Sequence, residues 1–212
     1  MRLLLATRNA KKLVELQRIL DAALGGGAVT LVGLGDIDEY DEVPETGLTF
    51  EENALIKARE GARHSSLPTV ADDSGLAVDA LNGMPGVLSA RWAGLTTGDQ
   101  ATKDRANLDL VLAQIADVPD AHRGAQFVCA AALVLPDGRE FTVSGQMRGR
   151  LIREVRGAGG FGYDPIFVPD RQPEGESRTS AELSAAEKDA ISHRGEAFRA
   201  LAKVIATQVP QD

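Results

Sequence analysis

Within its first twenty residues, MRLLLATRNAKKLVELQRIL, the chain changes its hydrophobic period once and abruptly. Arg2 to Ala6 is a short apolar run. After Thr7-Arg8-Asn9, the apolar residues Leu13, Leu16 and Leu20, with Val14, recur at helical spacing. The run reads as a strand, and the spacing predicts a helix capped by Asn9 and ended by Gly25-Gly26-Gly27. A chain that opens as strand, turn and helix must bury the apolar face of one element against the other, which already points to layered α/β architecture.

The rest of the chain agrees. Asp36 to Glu45 is acidic and contains Pro44, so it reads as loop. Thr49-Phe50-Glu51-Glu52 is a capping box that starts a helix through about Arg63, with Phe50, Ala54, Ala58 and Ala62 as its buried stripe. Leu67 to Ala71 is a buried strand that runs into Asp72-Asp73-Ser74-Gly75, and Met84-Pro85-Gly86 is a turn in a stretch broken by glycine and proline. Thr102 to Ile115 is helical and Pro119 to Gly124 is loop. Phe127 to Leu135 and Glu140 to Gln146 flank Pro136-Asp137-Gly138, a hairpin signal. Ser184 with Glu187 forms a second capping box, and Phe198, Leu201 and Ile205 line a closing helix. Mixed strands, hairpins and helices predict an α/β fold with a mixed sheet, in one domain over residues 1–212, since no linker is long enough to force two.

Composition sets limits on function. A chain of 212 residues with 43% hydrophobic and 25% charged content is ordinary for a globular enzyme. A net charge of −8 argues against a nucleic-acid polymer as partner, which needs a broad basic surface. The single cysteine, Cys129, lies in the apolar run FVCAAALVL and reads as a buried small hydrophobe. The apolar run at the start is too short for a signal peptide's core, and no stretch has the length of a membrane span, so a cytoplasmic location is expected.

Gly157, Gly159 and Gly162 satisfy G-x-G-x-x-G, the pattern of a dinucleotide-binding turn. Arg150 to Val155 supplies a plausible strand before it. No helix can open inside it, because Tyr163-Asp164-Pro165 and then Pro169 follow at once. The glycines instead read as a flexible run that delivers Phe161, Tyr163 and Asp164 to one place.

Four clusters could carry chemistry. Thr7 to Lys12 combines a helix start, a hydroxyl, an amide and a lysine, a set that suits a phosphate, or that merely caps a helix. Asp72-Asp73-Ser74 closes a hydrophobic strand, where two carboxylates could hold a hard cation such as Mg²⁺, or simply form a turn. While the strand continues, these two carboxylates point to opposite faces. Glu45-Thr46-Gly47 precedes a capped helix and could be a solvated acidic loop. Lys188 and Ser192-His193-Arg194-Gly195 gather cations that could line a cleft or decorate helix ends.

Together the clusters carry a resemblance. LLATRNAKK, ETGLTFEENALIKA, ADDSGLAVDAL, PGVLSARWAG, GGFGYDPIF and SAELSAAEKDAISHRG, in this order, resemble the non-canonical purine nucleoside triphosphate pyrophosphatases. Positions 93 to 125 and 170 to 178 carry little of the match. The resemblance implies an elongated mixed sheet flanked by helices, in two lobes with the active cleft between them. It also implies hydrolysis of inosine and xanthosine triphosphates (ITP, dITP, XTP) to monophosphate and pyrophosphate, with Mg²⁺ and as a homodimer. By motif, Thr7, Asn9 and Lys12 match the phosphate-binding opening, with Arg8, Ala10 and Lys11 as members of the same segment. Arg8 stands where many relatives have a small residue. Glu45 matches the metal-site glutamate and Asp73 the catalytic carboxylate, with Ser74 beside it; as the other member of the carboxylate pair, Asp72 is read as a further metal ligand with Glu45 and Asp73. Phe161, Gly162, Tyr163, Asp164, Lys188, His193 and Arg194 match the nucleotide-binding positions. A pyrophosphatase for other damaged nucleotides and a non-catalytic nucleotide-binding regulator are the alternative readings.

Overall fold

The computed structural model describes residues 1–7, 10–41 and 43–209, the side chains of Ala10 and Lys11 excepted. Arg8 and Asn9, and with them the expected cap of the first helix, lie outside the described residues. Among the described residues six strands form one mixed sheet in the order β2-β1-β3-β4-β5-β6. They are β1 (Arg2–Leu5), β2 (Thr30–Val32), β3 (Thr69–Val78), β4 (Gly124–Val134), β5 (Glu140–Leu151) and β6 (Phe167–Pro169). Strand β1 runs parallel to β2 and β3, whereas β5 and β6 are antiparallel. Among the described residues the α-helices are α1 (Ala10–Leu24), α2 (Phe50–Ser65), α3 (Gln100–Gln114), α4 (Ala185–Ile191) and α5 (His193–Gln208).

The chain divides into two compact units, one of residues 1–73, 129–145 and 193–212, the other of residues 74–128 and 146–192. In the first unit, the period-2 alternation of the strands feeds two cores. Leu3, Leu5, Val70, Cys129, Ala131 and Leu133 face the apolar stripes of α1 and α5, where Leu16, Leu20, Phe198, Leu201 and Ile205 meet them. Ala71, Ala130, Ala132 and Val134 instead meet Ala54, Ala58 and Ala62 of α2. That second interface is built from small side chains, so helix and sheet approach closely. A Cβ added at Gly61 would lie 2.7 Å from Thr69 Cγ2 and 3.0 Å from Leu4 Cδ2. In the second unit, Leu108 and Val111 of α3, with Ile115 just past its end, pack with Leu76, Val78, Phe127, Met147 and Phe167.

Both capping boxes form: Thr49 Oγ1 accepts the Glu52 N–H at 3.1 Å, and Ser184 Oγ that of Glu187 at 3.3 Å. Three expectations need correction. Strand β3 does not stop at Ala71; it continues through Asp72, Asp73, Ser74 and Gly75 to Val78, so the paired aspartates sit mid-strand and form no turn. Gly75 allows this, because its bare Cα makes room for the Ser89 side chain, whose Oγ accepts the Leu76 N–H at 2.9 Å. Strand β5 runs five residues beyond Gln146, its inward positions being Met147, Gly149 and Leu151. Arg150 and Leu151 therefore belong to β5, and 152–155 is not strand. The closing helical region breaks at Ser192 into α4 and α5.

Candidate active site

Because β3 continues past Ala71, the alternation of its side chains sorts the two aspartates onto opposite faces. Asp72, next to Val70 in phase, turns to the α1 and α5 side. Its Oδ2 lies 2.8 Å from Lys12 Nζ of α1 and 3.5 Å from Arg194 Nε of α5. Arg194 is also held by Glu15 of α1, Nη1 to Oε2 at 3.0 Å. Burial would raise the Asp72 carboxyl, but the charges of Lys12 and Arg194 overcome it and hold the group well below the ordinary carboxylate range. Cys129 stands beside this cluster, its Sγ 4.0 Å from Asp72 Oδ2, and burial pushes its thiol up, out of reach of thiolate chemistry.

Asp73, in phase with Ala71, turns to the α2 side. The alanine stripe that seats α2 on the sheet brings Asn53 and Lys57, one helical turn apart, onto it. Asn53 Nδ2 donates to Asp73 Oδ2 at 3.1 Å, while its Oδ1 accepts the Gly47 N–H at 2.8 Å. One buried amide thus ties the Glu45-Thr46-Gly47 loop to the carboxylate. Gly47 is needed there, since a Cβ would lie 2.6 Å from Glu52 Cβ and 2.7 Å from Asn53 Oδ1. Lys57 Nζ reaches Glu45 Oε1 at 2.6 Å and Asp73 Oδ1 at 3.5 Å. Burial raises the Asp73 carboxyl; Lys57 opposes the rise, Glu45 and Asp72 add to it, and the net displacement is upward. Two neighbouring aspartates therefore have opposite characters: Asp72 is a neutralised anchor and Asp73 a carboxylate of raised basicity.

Glu45 and Asp73 converge on one cationic position, now taken by the Lys57 ammonium, and both offer hard oxygen donors. This fits a divalent ion such as Mg²⁺. Among the described residues no three His, Cys, Asp or Glu side chains form a metal-holding group. A pair of carboxylates with the remaining positions left to water and phosphate oxygens is the usual manner of a Mg²⁺ site that works with a substrate.

In the second unit, the glycine run forms a turn instead of opening a helix. A single 3₁₀ turn, Asp164–Ile166, leads directly into β6. Gly157, Gly160 and Gly162 have φ of +84°, +71° and +60°, conformations that explain the residue type. Phe161 is 40% exposed, whereas Tyr163 is buried and its hydroxyl donates to the Ser89 carbonyl at 2.8 Å. Asp164 Oδ2 accepts the Phe161 N–H at 2.9 Å and lies 2.6 Å from Lys188 Nζ, which stands 5.1 Å from the centre of the Phe161 ring. An exposed aromatic face thus has an ammonium donor beside it.

Each expected residue can now be placed. Glu45 and Asp73 share the α2 side, and Lys12, Asp72 and Arg194 the α1 side. Phe161, Gly162, Tyr163, Asp164 and Lys188 form the turn. His193 is buried at the start of α5, and Ser74 follows Asp73 on β3. Thr7 directs its N–H to the Leu5 carbonyl at 2.8 Å. Ala10 and Lys11 are placed only as backbone of α1; their side chains, like Arg8 and Asn9, lie outside the description. Lys57 and Asn53 were missed by the sequence reading. Their signal was available, since both flank the alanine stripe of α2 as polar residues at i and i+4.

The architecture defines a class: an α/β protein whose mid-strand carboxylates are set among lysine, arginine and amide groups, a combination suited to a polyanionic substrate and a hard cation. The chain belongs to the Ham1 family, whose model matches residues 3–204. Relatives include the dITP/XTP pyrophosphatase of Corynebacterium efficiens, 61% identical over 208 residues, which cover 97% of this chain and 98% of that protein. The dITP/XTP pyrophosphatase of Streptomyces coelicolor is 60% identical over 204 residues, 96% of each chain. Among solved structures, the nucleoside-triphosphatase / dITP/XTP pyrophosphatase from Mycobacterium abscessus is 59% identical and matches with a TM-score of 0.74 over 95% of this chain and 98% of its own. A HAM1 protein from Coxiella burnetii, 39% identical, matches at 0.82 over 97% and 98%.

Proposed function

We propose that this chain hydrolyses the non-canonical purine nucleoside triphosphates ITP, dITP and XTP to the monophosphate and pyrophosphate, removing them from the nucleotide pool. The observation that carries the reading is the Glu45–Lys57–Asp73 group, in which a carboxylate of raised basicity sits beside a position built for cations. Asp73 accepts the proton of the attacking water as the α–β anhydride breaks, and the leaving oxygen departs with pyrophosphate. Asn53 fixes the direction of Asp73, and Lys57 balances the negative charge of the pair. Glu45 and Asp73 would hold Mg²⁺, which when bound supplies charge for the phosphate oxygens. Lys12, with Thr7 and the segment from Arg8 to Lys11, accommodates the triphosphate. Asp72 keeps Lys12 and Arg194 ordered at that edge.

Phe161 takes the purine face, an interaction worth about 1–3 kcal/mol. Lys188 offers a donor for the carbonyl at position 6 of hypoxanthine or xanthine, with Gly162, Tyr163 and Asp164 shaping the turn and His193 a further base contact. Ser74 completes the polar set next to Asp73. The protein acts as a cytoplasmic homodimer, a reading supported by the family resemblance. No helix among the described residues is long and apolar enough to cross a membrane. The test is ³¹P NMR of dITP incubated with the protein and Mg²⁺. Pyrophosphate and monophosphate should appear together; stepwise release of orthophosphate would overturn the reading.

A further inference from the structure

The turn that carries Phe161 is held from two directions. From within, Asp164 accepts the Phe161 N–H. From α3, fifty-eight positions earlier in the chain, Asp104 Oδ2 accepts the Gly162 N–H at 3.1 Å. The other oxygen of Asp104 is itself held, accepting from Gln100 Nε2 at 2.7 Å one helical turn back. Helix α3 is a firm base for such a contact. It buries Leu108 and Val111 in the core, and Asn107 on its flank accepts the Ala93 N–H at 2.7 Å and donates to the Ala90 carbonyl at 3.1 Å. On the other side of Gly162, the hydroxyl of Tyr163 is fixed to Ser89.

Gly162 at φ +60° is the flexible joint between two anchored residues. Glycine loses more conformational freedom on ordering than any other residue, so the bond that fixes its peptide governs how sharply the neighbouring ring is posed. A charge-assisted bond from a helix is well suited to that task. We propose that Asp104 is a positioning residue for purine recognition, fixing the Gly162 peptide so that Phe161 offers its ring in one pose. This rests on the reading of Phe161 as the base-stacking residue.

The test compares Asp104→Ala, Asp104→Asn, Gln100→Ala and Phe161→Ala in steady-state hydrolysis of ITP, with inorganic tripolyphosphate as a baseless competitive inhibitor. Asp104→Ala should raise KM by about five- to thirty-fold, the effect of losing one such bond, with kcat changed far less. The inhibition constant of tripolyphosphate should not move. Asp104→Asn keeps a carbonyl oxygen for Gly162 and should restore most of the KM. Gln100→Ala, at an exposed position, should shift KM the same way by less, and it decides the matter if Asp104→Ala does not fold. A wild-type KM in Asp104→Ala beside a raised KM in Phe161→Ala would overturn the role of Asp104. So would equal weakening of tripolyphosphate and ITP. An unchanged KM in Phe161→Ala would instead remove the base-stacking reading, and this proposal with it.

Discussion

At Asp73, burial and the charges of Glu45 and Asp72 raise the carboxyl, with Lys57 and Asn53 as partial opposition. The folded state binds this proton more tightly than the unfolded chain does. Its stabilising contribution is therefore present below the unfolded aspartate value, about 3.9, and is lost as pH rises through the raised folded value. Above that raised value the fold bears the cost of holding the group ionised, a cost the unfolded chain does not carry. Asp73→Asn should thus leave Tm unchanged or higher while lowering kcat by about 10²–10⁴-fold, the usual contribution of a positioned proton acceptor. Thermal unfolding and turnover of one preparation check both, and a lower Tm with normal turnover would contradict the assignment. Arg194 is the opposite case. Fully buried between Asp72 and Glu15, it cannot be removed without leaving charge uncompensated. Arg194→Ala should cost about 3–5 kcal/mol in denaturant unfolding, the range for breaking a buried pair from one side, and an unchanged midpoint would show the cluster to be dispensable.

Helix α2 sets the geometry of the Asp73 side, and it does so through what it lacks. Ala54, Ala58, Gly61 and Ala62 let its axis approach the sheet closely enough for Asn53 to hydrogen-bond Asp73. Gly61→Leu should push the helix outward, costing about 1–3 kcal/mol by overpacking and slowing turnover although residue 61 touches none of the site. Loss of stability with fully retained kcat would mean that the helix position does not tune the carboxylate. The legibility of the elements in the sequence follows the same logic. The capping boxes of α2 and α4 were readable because capping is local chemistry, and so was the glycine turn, whose prolines forbid a helix. The full length of β3 was not, because its continuation depends on Ser89 filling the space beside Gly75. The end of β5 was obscured because one of its inward positions is Gly149, where Phe167 and the Val168 carbonyl leave no room for a side chain, so that the alternation is interrupted and Arg150 reads as the start of a separate strand. Asp104 was invisible for a related reason: its partner is a backbone N–H distant in sequence, and no residue pattern records such a bond.

For the molecule as a whole, most of the chemistry was legible as residue types, and the pairing was not. The sequence presents Asp72 and Asp73 as near equivalents; only the alternation of a continuing strand, with Lys12 and Arg194 on one face and Lys57 and Asn53 on the other, lowers the carboxyl of one and raises that of the other. Such differentiation suits a catalyst better than a binding module, which has no need of a carboxylate whose basicity is raised. The chain's net charge of −8 adds that a triphosphate must be won by local cations against the field of the whole protein. If this machinery serves purines with a carbonyl at position 6, kcat/KM for ITP against ATP with Mg²⁺, at one pH and ionic strength, must show it. Adenine would set an amino donor against the Lys188 ammonium, which is already held by Asp164, so that edge gains no acceptor and loses about 1–3 kcal/mol relative to a carbonyl. ITP should be favoured by at least about 10²-fold, with pyrophosphate as co-product. Equal values for the two nucleotides, or no turnover of ITP at all, would contradict it.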